Sequence, residues 1–174
     1  GNQREVSNRH MLLDNLLQGI PDVVAISGDT AIEIAAIVSD SRQVVPPEQG
    51  APTSRGRPGV LFVAYRGVGA DGHRYIPAAL ERGAVAVVGD LPRETAMPRD
   101  AKTPYVQVAD GRAALGWLSA AWSGHPSRDM AMVGVTGTDG KTTTSSLLHA
   151  ILLAAGLPAG VVSTVSAVVG AQQH

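Results

Sequence analysis

The chain has 174 residues, 14 of them basic and 15 acidic, for a net charge of −1, and it contains no cysteine. These figures exclude disulfide scaffolds, and a hydrophobic share of 44% against 17% charged residues excludes disorder throughout. Near-zero charge and an aromatic content of 3% argue against nucleic-acid binding, which needs a basic face or stacking platforms.

Residues 1–10 are polar and aperiodic and read as a leader before a native start at Met11. Asp14 interrupts the apolar patch Met11-Leu12-Leu13, so no signal-peptide core forms. A short helix is expected over 11–18, and strands over 23–27 and 32–38. Residues 45–59 hold four prolines and three glycines and read as a loop. A strand over 60–65 leads into a glycine-rich turn at 66–72. A helix over 75–82, stopped by Gly83, and a buried strand over 84–88 follow. Residues 91–103 read as a loop and 105–108 as a strand. Asp110 is placed to cap a helix running to Trp122, with Trp117 and Trp122 assigned to the core. Gly124 and Pro126 mark a linker.

Beyond the linker, a buried strand over 130–135 enters a glycine-containing loop. A helix over 143–155 leaves it, with Leu147, Leu148, Ile151, Leu152 and Ala155 on one face, and a strand begins at Ala159. Residues 147–169 are nearly uncharged, but Gly156-Leu157-Pro158 splits them into a buried helix and a buried strand, not a membrane span. The alternation describes an α/β fold with a mixed, mostly parallel sheet over 11–127. It is followed at 128–174 by the first βαβ portion of a second, phosphate-loop domain.

The feature with the clearest chemistry is Gly134-Val135-Thr136-Gly137-Thr138-Asp139-Gly140-Lys141-Thr142-Thr143. A strand, a glycine loop and a helix start together make a phosphate cradle of backbone amides. Lys141 can reach outer phosphates as a point charge, and the Thr142 hydroxyl is placed for Mg²⁺. Val135 stands where the common pattern has glycine. Elsewhere Asp40-Ser41-Arg42 reads as a turn or cap, Asp71 as a helix-start cap, and His73 and His125 as surface residues. Ser163 and His149 lack the arrangement of a nucleophilic site.

Taken together, these stretches resemble the Mur ligase family. The order Ser39-Asp40-Ser41-Arg42, Pro58-Gly59-Val60-Leu61-Phe62-Val63-Ala64, Gly67, Asp71-Gly72-His73-Arg74-Tyr75-Ile76 and Gly83-Ala84-Val85-Ala86-Val87-Val88 resembles that family's N-terminal domain. Asp110-Gly111-Arg112-Ala113-Ala114-Leu115 and Pro126-Ser127 continue it, and residues 134–143 resemble the opening of its central ATPase domain. Within the family the UDP-N-acetylmuramoyl-tripeptide synthetases are most similar. The resemblance implies a cytoplasmic, ATP- and Mg²⁺-dependent enzyme of peptidoglycan synthesis. Such enzymes add a diamino acid, meso-diaminopimelate or L-lysine, to UDP-MurNAc-L-Ala-D-Glu through an acyl phosphate.

By the same resemblance, ATP falls to Gly137, Thr138, Asp139, Gly140, Lys141, Thr142 and Thr143, with Lys141 catalytic and Thr142 on the metal. The UDP-sugar falls to Ser39, Ser41, Val68, Gly69 and Ala70. Asp139 stands where the family usually has asparagine, and residues 68 and 69 bring no side-chain donor. The loop at 46–57 is longer than the family's usual link. The amino-acid pocket is expected outside this chain, which alone is expected to be inactive. Two alternatives remain: a UDP-sugar-binding module without its own catalysis, and another Mur or folylpolyglutamate-type ligase. Residues 32–88 argue against the folylpolyglutamate type.

Overall fold

The computed structural model describes residues 10–45, 58–67, 69–163, 167–169 and 172–173. Residues 1–9 of the leader expected at 1–10, the loop at 46–57 and Val68 lie outside them. The chain divides into two compact units, Gly1–Pro126 and Ser127–His174.

The first unit is built on a six-stranded sheet. Its strands are β1 (Met11–Leu12), β2 (Val23–Ser27), β3 (Glu33–Val38), β4 (Gly59–Val63), β5 (Ala84–Gly89) and β6 (Tyr105–Val108), in the order β1-β3-β4-β5-β6-β2. The pairs β3–β4, β4–β5 and β5–β6 are parallel, while β1 and β2 close the two edges antiparallel. Helices α1 (Leu13–Leu17), α2 (Ile76–Glu81), α3 (Arg93–Ala96) and α4 (Gly111–Trp122) complete the unit. The expected helix at 11–18 therefore starts two residues late, because Met11 and Leu12 pair with Ile34 and Glu33. The expected loop at 91–103 contains the single turn of α3.

The central strands are apolar on both sides, as parallel strands covered by helices must be. Along β4, Leu61 and Val63 join one cluster with Leu13, Leu16, Val88, Val106 and Leu118. Phe62 and the following Ala64 point the other way, to Ile76, Ala79, Val87 and Tyr105. On α4, Asp110 caps as expected, accepting from the amides of Arg112 at 2.8 Å and Ala113 at 3.0 Å. Leu118 and Trp122, four residues apart, face the core, but Trp117 is 42% exposed. Trp117 lies five positions from Trp122, about 140° around the helix at 3.6 residues per turn, so it faces solvent.

Tyr105 is buried, and its hydroxyl donates to the Leu91 carbonyl at 2.6 Å. Burial, reinforced by the charge of Asp90, raises its pKa to about 12. A raised acid pKa in the folded state means stability that is complete below the ordinary tyrosine value of 10.0 and lost as pH climbs to about 12. Alkaline unfolding followed by circular dichroism should show this limb, and Tyr105→Phe should flatten it.

In the second unit, α5 (Lys141–Ala154) precedes an antiparallel three-stranded sheet of β7 (Gly160–Val162), β8 (Ala167–Val169) and β9 (Gln172–Gln173). Three expectations are corrected here. Residues 130–135 form no strand, since no described strand pairs with them, and Met130, Met132 and Val133 are exposed. The expected βαβ portion is accordingly not formed among the described residues. The apolar face of α5 is also not buried: Leu147 is 62% and Ile151 56% exposed, with no described element covering them. Val162, expected in a buried strand, is 84% exposed. Among the described residues no helix is long and apolar enough to cross a membrane.

Candidate functional site

In the first unit, the segments that leave the carboxyl ends of β3 and β4 begin side by side, because Val38 pairs with Phe62 in a parallel register. This is the end of a parallel sheet where ligands generally sit. Ser39 is exposed there, and Ser41 is buried at the start of a 3₁₀ turn spanning Ser41–Gln43. Asp40 caps that turn, accepting from the Arg42 amide at 2.9 Å. It also receives the Arg42 guanidinium, from Nε at 3.0 Å and from Nη2 at 2.7 Å. The Arg42 hydrogen bonds hold the Asp40 pKa at about 2, so at neutral pH the two charges cancel. The expected cap is therefore present, and the arginine pairs with it through Nε and Nη2.

After β4, Arg66 and Asp71 form an isolated antiparallel bridge. The turn between them is closed by the Gly67 amide donating to the Ala70 carbonyl at 2.9 Å. Gly69 and Ala70 are exposed at this turn, and a Cβ on Gly69 would meet nothing within 4 Å. Asp71 caps the 3₁₀ turn Gly72–Tyr75, as expected, by accepting from the His73 amide at 3.0 Å.

His73 departs from the sequence expectation, for it is buried at 6% exposure. Its Nδ1 lies 2.7 Å from Asp71 Oδ1, and its Nε2 lies 3.2 Å from the Asp90 amide. An amide can only donate, so Nε2 accepts, and the ring proton belongs on Nδ1, donated to Asp71. That bond holds the Asp71 carboxyl below its ordinary pKa. Gly89, just before Asp90, makes room for the arrangement. A Cβ there would lie 2.5 Å from the Tyr105 hydroxyl and 3.0 Å from His73 Nε2. The role of Asp90 was not legible in the sequence. Its one signal is its place immediately after a buried parallel strand.

In the second unit, the loop before α5 is shaped by two glycines with positive φ, Gly137 at 147° and Gly140 at 75°. The left-handed Gly140 is the N-cap residue, which L side chains rarely adopt, and it starts the helix at Lys141, two residues earlier than expected. The Thr144 amide donates to the Gly140 carbonyl at 2.9 Å. Lys141 folds back over the loop, its ammonium donating to the Gly137 carbonyl and to that of Thr138 at 3.2 Å. Thr138, Asp139, Thr142 and Thr143 are exposed. The carbonyls of Gly137 and Thr138 thus meet one cation at a helix start, while Ser39, Ser41, Gly69 and Ala70 lie in the segments that follow the carboxyl ends of β3 and β4 in the other unit.

His149, part-buried, lies with Nε2 3.2 Å from the Ala159 carbonyl, a bond that ties α5 to the segment before β7. Among the described residues no group of three or more His, Asp or Glu side chains converges as a metal site.

Comparison with known proteins joins the two units. Residues 53–123 match the family model described as "Mur ligase family, catalytic domain", and residues 135–174 match "Mur ligase middle domain". A UDP-N-acetylmuramyl-tripeptide synthetase of Roseiflexus sp. is 49% identical over 79% of this chain and 24% of its own length. A UDP-N-acetylmuramoyl-L-alanyl-D-glutamate--2,6-diaminopimelate ligase of Geobacter sulfurreducens is 42% identical over 90% of this chain and 27% of its own. Among solved structures, MurF from Acinetobacter baumannii superposes with a TM-score of 0.58 at 25% identity, covering 86% of this chain and 29% of that one. The chain thus spans about a quarter of the length of these curated relatives.

Proposed function

Because this chain belongs to the Mur ligase family, we propose that it is the N-terminal part of an ATP-dependent ligase adding a diamino acid to UDP-MurNAc-L-Ala-D-Glu. The first unit would hold the UDP-sugar through Ser39, Ser41, Val68, Gly69 and Ala70. The second would hold ATP through Gly137, Thr138, Asp139, Gly140, Lys141, Thr142 and Thr143. Drawing on ATP and a nucleotide sugar, the reaction belongs to the cytoplasm. The amino-acid pocket belongs to sequence outside this chain.

The observation that carries the reading is the loop before α5. Its turn at Gly140 delivers the chain into a helix N-terminus with an ammonium already at its mouth. Helix-start amides and the helix dipole favour an anion there. Lys141 would exchange the carbonyls of Gly137 and Thr138 for the outer phosphates. The substrate carboxylate oxygen attacks the terminal phosphorus and ADP leaves, giving an acyl phosphate. The amine then attacks the acyl carbon, phosphate departs, and the amine sheds a proton to yield the amide. No enzyme nucleophile is needed, so the residues act by positioning and by offsetting charge.

Mg²⁺, when bound, would draw charge from the transferring phosphates. Thr142, in the first turn of α5, would offer its hydroxyl oxygen to this ion beside phosphate oxygens. Asp139 is exposed and so free to turn away from the phosphates.

Calorimetry on this chain with UDP and with MgATP tests the two assignments separately. In the full-length parent, release of ADP and phosphate should require both UDP-MurNAc-dipeptide and a diamino acid. The uncovered apolar face of α5 favours one second reading, a UDP-sugar-binding module whose ATP loop is incompetent in this chain. Binding of UDP without ATP would select it.

A further inference from the structure

The turn after β4 offers a ligand no side-chain donor at Gly69 or Ala70, yet it stands at an end of the sheet rich in carboxylates: Asp40, Asp71, Asp90 and Asp110. An anionic ligand there needs a cation to offset them. Arg42 gives Nε and Nη2 to Asp40 through contacts of 2.7 to 3.1 Å, and Arg112 lies 5.9 Å over the Tyr65 ring. Arg66 is different. It forms the base of the turn through its bridge to Asp71, and its side chain is 63% exposed.

The one carboxylate in ion-pair range of Arg66 among the described residues is Asp90, at a long 3.7 Å from Nε to Oδ1. Asp90 itself is fixed. Its amide donates to His73 Nε2, its side chain is 14% exposed, and its buried Oδ1 accepts no hydrogen bond. Such a carboxylate attracts a guanidinium without using up its N–H fork. Planar N–H pairs match phosphate oxygens two at a time.

We infer that Arg66, positioned by the part-buried Asp90, binds the diphosphate of the uridine nucleotide at the turn formed by Gly67 and Ala70. This rests on the UDP-sugar reading above. The nucleoside end would be held by the neighbouring segments, and Arg66 would supply the affinity that separates a nucleotide from a nucleoside.

The test is calorimetric titration of the 174-residue chain and its Arg66→Gln and Arg66→Lys variants with UDP and, in parallel, with uridine. Arg66→Gln should weaken UDP roughly tenfold to a hundredfold, the range for a charge-assisted hydrogen bond, and leave uridine unchanged. Arg66→Lys should recover part of the loss, keeping the charge without the fork. The UDP affinity of the wild-type chain should fall with salt more steeply than that of Arg66→Gln. Unchanged UDP binding by Arg66→Gln overturns the inference and leaves the UDP-sugar reading standing. Equal losses for UDP and uridine also overturn it, since they mark a structural role. Failure of the wild-type chain to bind either ligand overturns both.

Discussion

Lys141→Ala in the full-length parent should lower turnover roughly 10²–10³-fold, the usual loss when a group that stabilises developing charge is removed. Lys141 is exposed, and its ammonium bonds only to the carbonyls of Gly137 and Thr138 among the described residues. Its removal therefore leaves the packed core untouched, so thermal unfolding and UDP affinity should stay as in the wild type. Lys141→Arg should not restore turnover, because a planar fork cannot take the place of a compact ammonium inside a tight loop. Steady-state release of phosphate, with a melting curve as control, reads all three expectations. A Lys141→Ala parent at wild-type turnover would remove the lysine from the mechanism.

Phe62→Ala should be the most damaging of the simple core truncations in the first unit. Phe62 is the only phenylalanine in the chain, is fully buried, and packs in a cluster with Ile76, Ala79, Val87 and Tyr105. Losing the ring costs about 3–5 kcal/mol, transfer and cavity together. Against a typical stability of about 5–15 kcal/mol, that is a large share. The midpoint of thermal unfolding should fall by roughly 10 °C or more. Trp117→Ala, a larger truncation on paper, should move it little, because Trp117 is 42% exposed. Calorimetric melting of both variants checks the pair, and a larger loss at Trp117 would contradict the placement of the core.

Most elements of the first unit were legible because local signals and burial agree there. Continuous apolar runs mark β4 and β5, Asp110 caps α4, and Gly83 stops α2 with a φ of 96°. Apolar character places both tryptophans of α4 in the core, but five positions separate them on the helix, and only Trp122 packs there. The burial of His73 is not legible locally because its partner Asp90 is distant in sequence; only the parallel pairing of β4 with β5 brings the two segments together. In the second unit, apolar periodicity announced a buried helix and strand. Burial needs a facing surface, however, and none of the described elements supplies one to Leu147 or Ile151.

The order of residue types along the chain by itself determined the α/β alternation of the first unit, the capped helix after β6, and the glycine loop that leads into a helix in the second unit. Each of these depends on neighbours within a few positions, where backbone sterics and local hydrogen bonds act. The tertiary structure alone decided which charges are spent and which remain available. Asp90 comes within 3.7 Å of Arg66, and His73 carries its proton on Nδ1 because a strand end supplies an amide to Nε2. Electrostatic pairing depends on distance in space, and that distance is set by how strands stack into a sheet.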